Sequence, residues 1–213
     1  TEKHNFDAAA FADDLNAAKN FPRWRPNEEL LEELQIRQGT VHDWGEANQA
    51  TFEGDKEYFR IFCSLQPYGG TIKNLGILFD TKLNMHDAVG ALVTAARWKI
   101  ACIMRCRSKF TREQLVQLYK SRVLGFIEYR TAAIYQCTSS LLDKIDRQQS
   151  RFLNEIGVSE EEALLEYKLA SLCSCRDIAM LALLHKTALG EAHPDFCSFF
   201  ALTGQRNAGR TRL

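Results

Sequence analysis

Net charge, paired cysteines and long apolar runs are all scarce in this sequence. Lys and Arg number 27 and so do Asp and Glu, which leaves a formal net charge of zero. The seven cysteines (Cys63, Cys102, Cys106, Cys137, Cys173, Cys175 and Cys197) are odd in number and show no disulfide spacing. That pattern excludes a disulfide-stapled secreted domain and points to a reducing, intracellular setting, nuclear or cytoplasmic. No eighteen consecutive apolar residues occur and no secretory leader is visible, so no membrane span is expected. Cys173, Cys175, His185, His193 and Cys197 offer the thiolates and imidazoles that zinc prefers. Their spacing fits no standard finger, and the cysteines read instead as buried free thiols. The first residue is Thr1 rather than Met, and the most informative motif lies close to it. The chain therefore reads as a piece of something longer.

Hydrophobic residues make up 46% of the 213, enough to bury a core in one or two domains. Charge is zero in sum but unevenly spread. Residues 1–80 hold 8 Lys and Arg against 14 Asp and Glu, and residues 81–213 hold 19 against 13. An acidic half suits metal binding, and a basic half suits a polyanion.

Local propensity makes residues 6–20 a helix, because Ala8, Ala9, Ala10, Ala12, Ala17 and Ala18 are strong helix formers. Pro22 and Pro26 mark a turn. Asn27 then reads as an N-cap, with Glu28 and Glu29 where the helix dipole favours negative charge. Leu30, Leu34, Val41 and Trp44 recur at helical spacing and predict an amphipathic helix that ends at Gly45 and covers a sheet. Residues 58–65 read as a strand, 67–70 as a turn and 71–79 as a second strand.

From residue 85 onward strand signals vanish. Val89, Leu92, Ala96, Ile100 and Ile103 form one apolar helical face, and Leu115, Tyr119, Val123, Phe126 and Ile127 another. Thr111-Arg112-Glu113-Gln114 is a capping box. A third helix starts near Ser140, with Leu142, Ile145, Phe152 and Ile156 inward and Gly157 as its C-cap. Ser159 to Glu162 is a second capping box, opening a short helix to about Ala170. A last helix runs from about Ser174 to Leu189 and ends at Gly190, giving a five-helix bundle beside the sheet.

Phe11-Ala12-Asp13-Asp14 resembles the Tyr/Phe-X-Asp-Asp motif of reverse transcriptases, a tight hairpin on the floor of the palm. The resemblance implies a strand over residues 6–12, a turn at Asp13-Asp14 and a return strand over 15–19, against the helix that propensity favours. It also makes Asp13 a ligand of catalytic magnesium with Asp14 beside it. Magnesium prefers oxygen ligands, and a pair of such ions stabilises both the attacking and the leaving oxygen of an in-line displacement.

Three further stretches resemble the non-LTR retrotransposon branch of that family. His42-Asp43-Trp44-Gly45, Asn48 and the run from Phe52 to Glu57 are similar to the region after the active-site hairpin. This implies a place for Lys56 near the leaving pyrophosphate as a proton donor; a plain surface lysine is the alternative. The stretch from Ile72 to Asp80 closely resembles a Lys-X-Leu-Gly-hydrophobic-X-hydrophobic-Asp segment, which assigns Lys73, Leu75 and Gly76 to the primer grip. Its plainer reading is a buried strand in which Gly76 allows close backbone approach. Residues 164–170 and 176–181, with His185, Leu189 and Gly190, are similar to the region after the thumb in jockey-like elements. There Tyr167-Lys168-Leu169-Ala170 stands where many copies carry Phe-Asn-Leu-Ala.

The expectation is an α+β chain: a partial palm of antiparallel strands plus one helix over 1–82, a helical thumb over 83–157, a helical region over 158–202 and a disordered tail over 203–213. The implied partners are an RNA template, a DNA primer and dNTP, with Mg2+ as cofactor. The family's fingers and first palm motif have no match here, so the chain alone is expected to lack polymerase activity. Nine basic residues lie between Arg97 and Arg130 against two acidic ones. Arg97, Arg105, Arg107, Lys109, Arg112, Lys120 and Arg130 are the candidates for weak, non-specific nucleic-acid contact, and Arg112, Lys120 and Arg130 would share one helical arc at 100° per residue. Two other readings compete: a non-catalytic nucleic-acid-binding module derived from such an element, and a purely helical scaffold, which requires residues 5–20 to be helix.

Overall fold

A computed structural model of the chain describes residues 7–11, 14–193 and 196, with side chains from residue 15 onward. The described residues are mixed α+β and divide into two compact units, Thr1–Thr71 with Thr81–Leu83, and Ile72–Asp80 with Asn84–Leu213.

The first unit opens with a hairpin. Strands β1 (Asp7–Phe11) and β2 (Asp14–Ala18) are antiparallel, with Asp7 opposite Ala18 and Phe11 opposite Asp14. The alanine-rich run is thus extended rather than helical, cross-strand pairing overriding intrinsic propensity. Asp14 begins the return strand instead of sitting in the turn, because Phe11 pairs with it directly. Ala12 and Asp13 lie outside the described residues.

Helix α1 (Asn27–Ala47) departs from expectation at both ends. Pro26 takes the cap position with extended backbone and no capping side chain, and Asn27 is already helical. The Asn27 amide donates to the Gln66 carbonyl at 3.3 Å instead. The helix runs past Gly45, which is buried; a Cβ there would meet Phe52 at 2.6 Å and the Ala50 carbonyl at 2.7 Å. That glycine serves close approach rather than termination. Leu30 and Gly45 are the buried positions, whereas Trp44 stands 57% exposed, so the expected apolar face forms only in part. The strand over 58–65 does not form. Its pairing is the single bridge of Ile61 with Tyr68, since residues 66–70 fold back too soon to offer a longer ladder.

The second unit begins with a two-stranded hairpin, β3 (Ile72–Asn74) and β4 (Ile77–Phe79), where one continuous strand was expected. Leu75 and Gly76 form its two-residue loop with φ of 46° and 78°, the left-handed pair whose twist matches that of the flanking strands. Helices α2 (His86–Arg105), α3 (Arg112–Tyr119), α4 (Gly125–Glu128), α5 (Thr131–Ile134), α6 (Ser139–Ile156), α7 (Glu160–Leu165) and α8 (Leu172–Ala188) follow. A π turn, Lys120–Leu124, joins α3 to α4. Both capping boxes form, Thr111 with Gln114 and Ser159 with Glu162, and Gly157 ends α6 at φ 68°. α7 stops at Leu165, short of Ala170, and Ser171 caps α8 by accepting from the Ser174 amide.

The core is the one that helical periodicity marked. Val89, Leu92, Ala96, Ile100, Ile103, Leu115, Tyr119, Val123, Ile127, Ile145, Phe152 and Ile156 are all buried. Leu141 takes the inward place expected of Leu142, which is half-buried. Tyr119 stacks on Phe152 with centroids 4.6 Å apart, and its hydroxyl donates to Gln149 at 3.3 Å. Full burial of each large side chain contributes roughly 1.5–3 kcal/mol, so α2, α3 and α6 are bound mainly by this cluster. No helix among the described residues is long and apolar enough to cross a membrane.

Candidate functional site

Carboxylates are the donors that a hard divalent cation takes. The pairing of Phe11 with Asp14 sets the Asp14 backbone at the closed end of the β1–β2 hairpin, and Asp13 precedes it in sequence. Asp13 and the Asp14 side chain fall outside the described residues, and among those that are described no three His, Cys, Asp or Glu side chains gather as a metal site. Of the cysteines read as buried, Cys173 and Cys106 are exposed and Cys175 is half-buried. Cys173 lies on the open face of α8, its thiol 3.9 Å from Asp177. Cys197 lies outside the described residues.

Lys56 closes a single 3-10 turn, Gly54–Lys56, and its ammonium pairs with Glu53 at 2.7 Å in an exposed setting. Its neighbour Glu57 is more deeply engaged. The Glu57 carboxylate accepts from Gln38 and pairs with His42 at 2.8 Å, and these contacts hold its pKa below the usual carboxylate value. His42 also leans on Phe52 with ring centroids 5.6 Å apart. The His42 to Glu57 stretch therefore closes on itself, and Lys56 stands outside that cluster.

Of the three residues expected in a primer grip, Leu75 and Gly76 form the tip of the β3–β4 hairpin, which two residues after α4 clamp. The Tyr129 hydroxyl donates to the Leu75 carbonyl at 3.0 Å. Arg130 donates to the Gly76 carbonyl at 3.3 Å and to the Phe126 carbonyl at 2.7 Å, with its guanidinium carbon 4.1 Å from the Phe126 ring centroid. Burial lowers the Arg130 pKa. Lys73 is exposed on β3 and borders a cleft of about 230 Å³ between the hairpin, α2 and Arg130. Asp80, which ends the motif, accepts from the amides of Asn84 at 3.1 Å and Met85 at 2.6 Å and so sets the start of α2. Sequence reasoning named Asp80 only as the end of the Ile72–Asp80 motif and missed its contacts with the Asn84 and Met85 amides. Neither that role nor the place of Tyr129 carries a local sequence signal.

The seven basic candidates separate into two kinds. Arg97, Arg105, Arg107, Lys109 and Arg112 are exposed, and Arg107 to Lys109 form a 3-10 turn between α2 and α3. Lys120 and Arg130 are engaged within the fold: the Lys120 ammonium donates to the Tyr167 carbonyl, and Arg130 holds the hairpin. The arc that Arg112, Lys120 and Arg130 were expected to share does not form. The π turn changes the angular step between Lys120 and Leu124, and Arg130 lies beyond the end of α4. The exposed cations at the turn can meet phosphates; the two engaged ones would have to break backbone contacts first.

No family model, curated protein or solved structure matches the chain.

Proposed function

We propose that this chain is the end of the palm and the thumb of an RNA-directed DNA polymerase of the non-LTR retrotransposon type, inactive by itself. The observation that carries the reading is the hairpin over residues 7–18. Local propensity opposes it, and the resemblance calls for a hairpin in this stretch, although it put Asp14 in the turn where the pairing with Phe11 puts Asp14 in the return strand. The first unit adds support. It leaves Trp24 80% and Leu65 82% exposed, with Ile36, Trp44, Tyr58 and Phe62 also open to solvent. Apolar exposure of that extent suits a partial palm awaiting further strands.

In this reading Asp13 and Asp14 would hold magnesium, which when bound supplies charge stabilisation to the phosphoryl group under attack. Lys73, Leu75 and Gly76 would present the hairpin to the primer's 3′ end, and the clamp from Tyr129 and Arg130 would keep its tip in place. Positioning of this kind is where phosphoryl transfer gains most of its rate.

The test uses a longer protein that carries the upstream fingers and palm together with these residues. Template-directed primer extension with magnesium is expected there and absent from the 213 residues alone. Asp13→Asn should abolish extension while circular dichroism is unchanged. Retention of more than about a tenth of the activity would remove Asp13 from the metal site, because losing such a ligand should cost at least the roughly tenfold that corresponds to 1.4 kcal/mol. A second reading, a nucleic-acid-binding module without catalysis, draws on the exposed Arg107–Lys109 turn and on Lys56 being paired with Glu53. Duplex binding without primer extension by the longer protein would favour it.

A further inference from the structure

Three hydroxyls in the chain stand three residues after an arginine: Thr40 after Arg37, Ser108 after Arg105 and Ser150 after Arg147. Of these, Ser108 alone also follows an arginine directly, Arg107, and precedes a lysine, Lys109. Cations at fixed places around a hydroxyl are among the charge patterns by which protein kinases choose their substrates. In an extended segment, side chains alternate between two faces. Drawn out, Arg105 and Arg107 lie on one face and Ser108 on the other, so the segment offers two cations to one wall of an acidic cleft and its hydroxyl to the opposite wall.

The fold separates the three sites. Thr40 lies inside α1 and donates to the Ile36 carbonyl at 3.2 Å. Ser150 lies inside α6 and donates to Glu160 at 2.9 Å, with Gln149, Phe152 and Leu153 buried beside it. Drawing out either segment unwinds a helix, and at Ser150 it also opens the core. Ser108 stands instead in the 3-10 turn Arg107–Lys109, between Arg105 at the end of α2 and Arg112 at the start of α3. Residues 105–110 are exposed, and the Ser108 hydroxyl makes no hydrogen bond among the described residues. Two backbone bonds close the turn, from Lys109 to the Cys106 carbonyl at 2.9 Å and from Phe110 to the Arg107 carbonyl at 3.4 Å. Beyond it the backbone of Phe110 and Thr111 is already extended. Opening the turn therefore costs those two bonds and leaves Ile103 and Leu115, the nearest buried residues on either side, in place. Local openings of this kind lie at the low end of the free energies a folded chain samples.

We propose that Ser108 is a phosphorylation site for a protein kinase that selects arginine ahead of its target. The Ser108 Oγ attacks the γ-phosphorus of a nucleoside triphosphate. The Oγ–P bond forms, the bond from that phosphorus to the β–γ bridging oxygen breaks, and the nucleoside diphosphate leaves. The hydroxyl proton passes to the carboxylate base of the kinase. A phosphoserine carries about −1.5 to −2 charges at pH 7, so the turn made by Arg105, Arg107 and Lys109 falls from plus three to about plus one. Phosphorylation thus weakens any contact that this turn makes with a polyanion. The inference rests on the turn itself and not on the polymerase reading, and it stands whether or not Asp13 holds a metal.

The test incubates the full chain with magnesium ATP and the catalytic subunit of a cyclic-AMP-dependent protein kinase, and maps the phosphate by tandem mass spectrometry. Ser108 should take up most of it, with little on Ser150 or Thr40, although both follow an arginine at the same distance. Ser108→Ala should lower total incorporation by about tenfold, and Arg105→Gln should slow labelling of Ser108 by about tenfold through loss of one charged contact in the kinase cleft. Arg105→Lys keeps the charge and should lose less. Circular dichroism of each variant should match the parent chain, because the turn lies outside the core. Absence of phosphate on Ser108 would overturn the proposal, as would an Arg105→Gln chain labelled as fast as the parent. Phosphate shared evenly among Ser108, Ser150 and Thr40 would overturn it as well, by showing that the fold selects none of them. Loss of primer extension in the longer protein has no bearing on any of these readouts.

Discussion

At the scale of single residues, the most consequential charge pair is the one between Asp146 and Arg176. The Arg176 guanidinium is 4% exposed and donates to both Asp146 oxygens, at 2.6 and 2.8 Å, tying α6 to α8. The hydrogen bonds to Asp146 raise the Arg176 pKa above its ordinary value, so the cation is not relieved by losing its proton at any working pH. Removing the carboxylate would strand a buried charge, a defect that typically costs about 3–5 kcal/mol. Asp146→Ala is therefore expected to lower stability by roughly 3 kcal/mol in urea unfolding, whereas Asp143→Ala on the open side of the same helix should change it by less than about 0.5 kcal/mol. Equal effects from the two would mean that the pair contributes no more than a surface contact. Both partners are visible in the sequence as ordinary charged residues. Nothing local marks them as paired, because their separation of thirty residues is closed by the packing of α6 on α8.

Elements differ in how much of themselves they declare. α2 and α6 were legible from their buried faces, because a buried helix must repeat its apolar side chains every three or four positions, although neither N-cap residue, Met85 or Thr138, makes a side-chain capping bond. The first-unit strands were legible only through resemblance, since β1 and β2 consist largely of alanine and their stability comes from each other rather than from local preference. The π turn at Lys120–Leu124 left no local signature; beyond it Ile127 keeps its inward place, whereas Phe126, expected inward too, is only partly buried. The β3–β4 hairpin shows how an element this short persists: two strands of three residues are marginal alone, and the clamp from Tyr129 and Arg130 holds the tip. Arg130→Met keeps most of the packing on Phe126 and removes the donors to Gly76 and Phe126. It should lower amide protection across Ile72–Phe79 while leaving α6 unaffected in hydrogen exchange. Hydrogen bonds from a charged group contribute about 1.5–3 kcal/mol, so the hairpin amides are expected to exchange at least about tenfold faster. Unchanged exchange there would make Arg130 available to a ligand after all and return it to the set of candidate phosphate contacts.

Across the whole molecule, the two units rest on different physics. The second owns the apolar core, from Met85 to Leu172. In the first, Leu30 is the buried large hydrophobic residue among those described, and its visible order comes from polar ties. Glu33 accepts from Lys19 and from Arg25, and Glu57 from Gln38 with His42 beside it. These ties lower both carboxylate pKa values, Glu33 chiefly through Lys19 and then Arg25, Glu57 chiefly through Gln38 and then His42. A carboxyl whose folded pKa lies below its unfolded value stabilises the fold above the unfolded value, and that contribution is lost as the pH falls through the folded one. The first unit should therefore loosen on acidification below the ordinary carboxylate range, while the helical core, built on apolar burial, holds. Hydrogen exchange corrected for intrinsic rates tests this directly. At neutral pH, protection in α1 is expected to be weaker than in α2 and α6, as low burial implies, and at about pH 3, below the ordinary Glu range, the gap should widen because α1 loses protection first. Glu33→Gln removes one titrating tie, so it should lower α1 protection at neutral pH and reduce the further loss in acid. If α1 and α6 instead lose protection together at both pH values, the chain unfolds as one cooperative body. The exposed apolar surface of the first unit would then need an explanation other than an incomplete sheet.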